Sequence, residues 1–110
     1  MKIVVIVVIL ISVVGCAGAT VKNLTADGRR VQIITADPDQ SKCKYLGDIA
    51  GEAKASNIAE AQTFARNDLK NKAAELGGNF AKIDTNTGAN AMDYTGRNQI
   101  VLNGRAFLCK

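Results

Sequence analysis

Residues 58–78 run Ile58-Ala-Glu-Ala-Gln-Thr-Phe-Ala-Arg-Asn-Asp-Leu-Lys-Asn-Lys-Ala-Ala-Glu-Leu76-Gly77-Gly78. Ala61, Phe64, Ala65, Leu69, Ala73 and Leu76 recur at the spacing that puts them on one face of an α-helix. The pattern predicts a helix from about Ile58 to Leu76. Gly77-Gly78 stops it, with one of the two glycines in the left-handed conformation that closes helices. The stripe is rich in Ala, so the helix can lie close on a sheet, and its role is core packing.

Upstream, Ala26-Asp27-Gly28 is a turn signal. Arg29 to Thr35 reads as a strand with Val31 and Ile33 on one face, and Asp37-Pro38-Asp39 breaks it. Cys43 to Ile49 reads as a second strand, with Cys43, Tyr45 and Ile49 sharing a parity and Lys44 and Asp48 pointing the other way. The short connection predicts an antiparallel hairpin between these two strands. Gly51 to Asn57 is small and polar and reads as a loop.

Downstream of the helix, Asn79 to Asp84 reads as a third strand and Thr85 to Gly96 as a polar loop. Gln99 to Cys109 reads as the last strand. Val101, Phe107 and Cys109 share one parity, and Ile100, Leu102 and Leu108 the other. Asn103-Gly104 is a bulge or bend within one long strand, since a tight hairpin turn there would leave short arms. The order is strand, strand, helix, strand, strand. That is an α+β fold in which one helix covers one face of a small, mostly antiparallel sheet.

The chain has 110 residues, room for one domain. It has no Trp and no His, so the commonest general base and the commonest metal ligand at neutral pH are both missing. The net charge of +4 comes from bases interspersed with acids, the pattern of a solvated surface. It gives at most a weak attraction to anionic lipid head groups or cell-wall polymers. A nucleic-acid face would need a denser basic stripe with aromatic stacking platforms.

The first residues form a processing signal. Lys2 is a short positive region, and Ile3 to Val14 follows, apolar except for Ser12. As a helix this run spans roughly 18 Å, against about 30 Å of hydrocarbon core. That suits a signal peptide better than a membrane anchor. Val13-Val14-Gly15-Cys16 then resembles the bacterial lipobox, with Val13 where Leu is usual. The resemblance implies diacylglycerol on the Cys16 thiol, cleavage after Gly15 and further acylation by a chain such as palmitate. Ala17 stands where the inner-membrane retention signal has Asp, which implies the periplasmic face of the outer membrane. The expected organisation is signal peptide 1–15, lipidated N-terminus and short tether 16–25, and a single domain 26–110. Several acyl chains together anchor firmly.

With Cys16 lipidated, Cys43 and Cys109 remain. In an oxidising periplasm pairing is the default, and the bond would close a loop of about 65 residues, worth roughly 4 kcal/mol in the chain-entropy model. Two free thiols, a redox pair or a metal site are the alternatives. Cys-x-x-Cys is absent, and two cysteines without His make a poor zinc site.

Asn67-Asp68-Leu69-Lys70-Asn71-Lys72-Ala73-Ala74-Glu75-Leu76-Gly77-Gly78-Asn79 resembles the signature of an uncharacterised lipoprotein family, the YjeI-like proteins of domain of unknown function 4156. The lipobox, the Cys43-x-x-Leu46-Gly47 stretch with Gly51 beyond it, and the terminal Gly104-Arg105-Ala106-Phe107-Leu108-Cys109 fit the same family in the same order. The family is also distantly similar to the C-terminal domain of RcsF, an outer-membrane stress sensor. That domain has more than one disulfide and follows a Pro-rich linker, and this chain has neither. The resemblance implies an α+β fold, a Cys43–Cys109 bond and a periplasmic address, and no activity. Asn67, Asp68 and Asn71 are polar exceptions on the helix. They are candidates for structural roles, such as an Asp68–Lys72 pair one turn apart, or for contact with a partner.

No catalytic residues, metal ligands or cofactor site are expected. Asp84-x-Asn86-x-Gly88 departs from a calcium loop at its later positions, and Asp37 and Asp39 read as turn acids. The expectation is therefore a non-enzymatic interaction module. The membrane is contacted through lipid on Cys16, and the partner is an envelope protein or peptidoglycan rather than nucleic acid. The loops 51–57 and 85–96 are the expected contact surfaces. The alternative is an envelope stress or redox sensor using the Cys43–Cys109 pair.

Overall fold

The computed structural model describes residues 22–87 and 98–110. The signal segment, Cys16, the first part of the tether and most of the 85–96 loop lie outside the described residues. A single 3-10 turn, Gly28–Arg30, precedes strand β1 (Gln32–Ile34). Then come β2 (Cys43–Ala55), helix α1 (Ile58–Glu75), β3 (Phe80–Thr87) and β4 (Asn98–Cys109). The architecture is α+β, with the expected strand-strand-helix-strand-strand order.

The Asn57 side chain starts α1. It accepts the N–H groups of Ala59 at 2.7 Å and Glu60 at 3.3 Å, two donors that have no partner within the helix. At the other end Gly78 N–H reaches the Ala73 carbonyl and Gly77 N–H the Ala74 carbonyl, both at 2.9 Å. Gly77 sits at φ +85°. This is the paired-bond closure of a helix on a left-handed glycine.

The four strands form one sheet in the order β1-β3-β4-β2. β4 runs antiparallel to both β2 and β3, and β1 runs parallel to β3. The expected hairpin between the first two strands therefore does not form, because β1 and β2 occupy opposite edges. The segment between them, 35–42, crosses the sheet. Asp37 on it reaches Arg105 of β4 at 3.0 Å and Lys82 of β3 at 3.7 Å.

The expected loop at Gly51–Asn57 is also corrected. Strand β2 continues to Ala55, paired with β4 through Ala55–Asn98, and only Ser56 and Asn57 connect it to α1. Gly51, Ala53 and Ala55 are buried and Glu52 and Lys54 exposed, the alternation of a half-buried strand. These residues build the core and offer no flexible contact loop.

β4 is one continuous strand through Asn103-Gly104, as expected. The irregularities fall on its neighbours, between Tyr45 and Gly47 on β2 and between Ile83 and Thr85 on β3. An extra residue in one strand flips the faces beyond it. Tyr45 is thus opposite Phe107 while Ile49 is opposite Gly104, so the two point to different faces. Their shared parity in the sequence does not survive the bulge.

The core lies between α1 and the covered face of the sheet. Ala61, Ala65, Leu69 and Ala73 of α1 meet Ile49, Ala53, Ile100, Leu102 and Ala106. Val31, Ala55 and Ala81 complete it. Leu69 is fully buried, which is worth about 1.5–3 kcal/mol. Gly51 shows how close the layers are. A Cβ there would run into the Ala65 carbonyl and the Leu69 amide. Leu76, expected in the stripe, is 46 % exposed, whereas Asp68 is 7 % exposed.

Candidate functional site

The three polar helix residues singled out in the sequence act on the chain's own N-terminal segment. Asn67 Nδ2 donates to the Lys22 carbonyl at 2.9 Å, and Asn71 Nδ2 to the Asn23 carbonyl at 2.8 Å. Asn71 Oδ1 accepts the Thr25 N–H at 2.9 Å and the Thr25 hydroxyl at 3.1 Å. Thr25 Oγ1 accepts the Gly28 N–H at 2.9 Å. Residues 22–25 are the described part of the expected tether, and they are fastened to α1.

Asp68 completes this clamp from a buried position. Its Oδ2 accepts the Glu52 N–H at 3.0 Å and lies 3.3 Å from Lys22 Nζ and 3.1 Å from Lys72 Nζ. Lys72 Nζ also donates to the Ala50 carbonyl at 2.8 Å. β2 is an edge strand, so Asp68 and Lys72 occupy main-chain groups that an edge leaves free for another chain. Burial pushes the Asp68 carboxyl up. The Glu52 amide and the Lys72 and Lys22 ammonium groups outweigh it and hold it below the ordinary carboxylate range.

The second cluster lies on the sheet face that α1 does not cover. Cys43 and Cys109 are directly opposite in the β2–β4 ladder and are joined by a disulfide. Tyr45 and Phe107 form the next opposed pair on this face, their rings edge to face with centroids 5.9 Å apart. The Arg105 guanidinium lies 5.5 Å from the Phe107 ring centre, the arrangement of a cation–π contact. Arg105 holds Asp84 with two bonds, Nε to Oδ2 and Nη2 to Oδ1, both at 2.9 Å. Its Nη2 also reaches Asp37 at 3.0 Å.

These ion pairs fix the crossing segment over the sheet. Pro38, Gln40, Cys43, Tyr45, Arg105 and Phe107 line a cleft of about 400 Å³ on one side of it. A second hollow of about 340 Å³, lined among others by Ile34, Phe80 and Cys109, lies on the other side. Tyr45 is 51 % exposed while Phe107 beneath it is 6 % exposed. The Tyr45 hydroxyl donates to Asp48 at 2.7 Å, which raises its pKa. Hydrogen bonds from Arg105 and then Lys82 pull the Asp84 carboxyl down to about 2. Asp39 turns away from this network and accepts the N–H and hydroxyl of Ser41.

The cluster presents aromatic edges, a guanidinium and a half-buried disulfide, which suits binding. Among the described residues no three His, Cys, Asp or Glu side chains converge as a metal site would require. Sequence reasoning named Cys43 and Cys109 and missed Tyr45, Arg105 and Asp37. The alternation of β4 already puts Arg105 beside Phe107 and Cys109. The Asp37–Arg105 contact joins residues 68 apart, and no local signal marks it.

No curated protein and no solved structure matches this chain. A family model, the domain of unknown function DUF4156, matches residues 22–109. Its first residue is Lys22, where the clamp on α1 begins, and its last is Cys109, the second half of the disulfide. The matched stretch is the folded unit described above, and the chain belongs to the DUF4156 family.

Proposed function

We propose that this chain is a lipoprotein, acylated at Cys16 and held on the periplasmic face of the outer membrane, where it serves as a non-enzymatic interaction module. Val13-Val14-Gly15-Cys16 behind an apolar run supports the anchor. The observation that carries the binding role is the uncovered end of the sheet, where half-exposed Tyr45 sits over Phe107 and Arg105 beside the disulfide. Aromatic and Arg side chains are the usual anchors of protein interfaces. The partner is an envelope protein that docks in the cleft bounded by Pro38 and Tyr45.

The test is photo-cross-linking in cells from a reactive amino acid at Gln40, followed by mass spectrometry. One dominant envelope protein, lost in a Tyr45→Ala Arg105→Ala background, is the expected result. Capture of cell-wall fragments alone would reassign the partner, and capture of nothing would count against the cleft.

A second reading has one observation in its favour. Cys43 lines the first hollow, and both Cys43 and Cys109 line the second. Their oxidation state would then set the shape of the binding surface, as in a redox sensor. Thiol trapping through oxidative and reductive stress separates the two readings. A pair that stays oxidised throughout excludes the sensor.

A further inference from the structure

We infer that the Asn67–Asp68–Asn71 clamp is an orientation device, which turns the Glu52–Lys54 end of the domain toward the lipid surface and the disulfide end away from it. The inference rests on the proposed acylation of Cys16. Its basis is where the chain leaves the fold. Lys22 is held by Asn67 through its carbonyl and by Asp68 through its ammonium group. It lies with Glu52, Ala53, Lys54 and Gln99 at the far end of β2. Cys16 precedes it by six residues, and six residues reach at most about 20 Å.

The Cys43–Cys109 bond is at the opposite end of the same strand. Nine residues of β2 separate Cys43 from Glu52, roughly 30 Å of extended chain. A short leash fastened at one end of a long strand gives the domain a polarity. Loose attachment, with residues 22–25 free of α1, would lengthen the leash and let the domain turn over. Lys22, Glu52 and Lys54 line the cleft at the anchored end, while Lys42, Lys44 and Lys110 lie at the disulfide end, so the short leash and not charge sets the polarity. The Tyr45–Phe107–Arg105 cluster then projects from the membrane, where a partner can reach it.

The chain has no Trp, so single tryptophans report position cleanly. Full-length lipidated protein is reconstituted in phosphatidylglycerol–phosphatidylethanolamine vesicles carrying dansylated head groups. Flotation is recorded, and energy transfer is measured from Ser56→Trp and from Lys44→Trp, both at exposed positions. The expected transfer from Ser56→Trp is at least about twofold the greater, given an offset of roughly 35–40 Å between positions 44 and 56. In a Lys22→Ala Asn67→Ala Asn71→Ala background, which removes the Lys22–Asp68 pair as well as the amide contacts and keeps its helical circular dichroism, the two values converge.

Equal or reversed transfer in floating protein with the clamp intact overturns the orientation and leaves the acylation standing. A difference that persists in the folded triple variant overturns the clamp as its cause. Protein that fails to float overturns the acylation and the orientation together.

Discussion

The Asp68 carboxylate accepts the backbone N–H of Glu52 at 3.0 Å, so a helix side chain closes a hydrogen bond at the sheet's edge. The same oxygen holds two lysines, one from the N-terminal segment and one from the next turn of α1. Three parts of the chain meet at one buried atom. Asp68→Ala leaves the Glu52 amide and the two ammonium groups without their acceptor. The expected loss is about 2–3 kcal/mol, between that of a charged hydrogen bond and that of a broken buried pair. Urea denaturation of the 22–110 domain measures it, with Asp68→Asn expected to recover part of the loss through the amide contact.

Asn71 makes three hydrogen bonds, accepting the Thr25 N–H and hydroxyl and donating to the Asn23 carbonyl, and it holds the Thr25 hydroxyl that accepts the Gly28 N–H. Asn71→Ala is expected to cost about 1–2 kcal/mol because the site is partly exposed. Asn67→Ala removes a single bond to Lys22 and should cost about half as much. Amide hydrogen exchange distinguishes this from global destabilisation. Protection should fall first at Thr25 and Gly28 and not in β4.

Gly51→Ala adds one methyl where the Ala65 carbonyl and Leu69 amide already stand. The helix must move away from β2, and overpacking of this kind costs about 1–3 kcal/mol. The midpoint in urea should fall with little change in slope. A Gly77→Ala variant, which meets no neighbour but forces Ala into φ +85°, separates crowding from backbone strain. It is expected to cost about 1 kcal/mol.

Asp84 titrates near 2 in the folded protein and at about 3.9 in an unfolded chain. A depressed carboxylate stabilises the fold fully above the unfolded value and loses that contribution as pH falls toward the folded one. Melting temperature should therefore drop between about pH 4 and pH 2, and Asp84→Asn should flatten that part of the profile. Asp68 adds to the same acid loss, since its carboxyl is also held low. Subtracting the profiles of the two variants separates their shares. Because Asp84 is partly exposed, salt should weaken its part more.

Reduction, or Cys109→Ser, opens a link between residues 66 apart in sequence. The chain-entropy model gives a loss of about 4 kcal/mol. The domain should remain foldable if Leu69, Ile100 and Leu102 carry the core, and should melt at lower temperature in reductant. Near-ultraviolet circular dichroism of Tyr45 and Phe107 checks whether the cleft keeps its shape.

The helix was legible because its pattern is local. Ala61, Ala65, Leu69 and Ala73 repeat on one face, Gly77 ends it, and the observed Ile58–Glu75 differs by one residue from the expectation. The second half of β2 was hidden because its inward residues are Gly51, Ala53 and Ala55. Small side chains give the alternation of a strand without its usual branched or aromatic signature. The hairpin failed for another reason. A three-residue β1 carries little pairing preference of its own, and its place beside β3 is set by contacts distant in sequence. The same limit hid the aromatic–arginine cluster, because Tyr45 and Arg105 come together only after β2 and β4 pair, and Asp37 joins them only when the crossing segment folds over the sheet. The clamp residues stand out in the sequence as polar exceptions on a helix, whereas their partners, residues 22–25, carry the irregular pattern of a tether.

Cys43 and Cys109 are the outermost rung of the long β2–β4 ladder. The two sulfurs lie side by side only when a strand from the first half of the chain has found one from its very end, in the correct register across the bulge at Leu46. A one-residue slip would separate them. In the native register the bond thus joins the two halves of the chain at the end of their ladder, and a thiol reagent, which labels Cys43 and Cys109 only where they are unbonded, sorts a population of this chain by it.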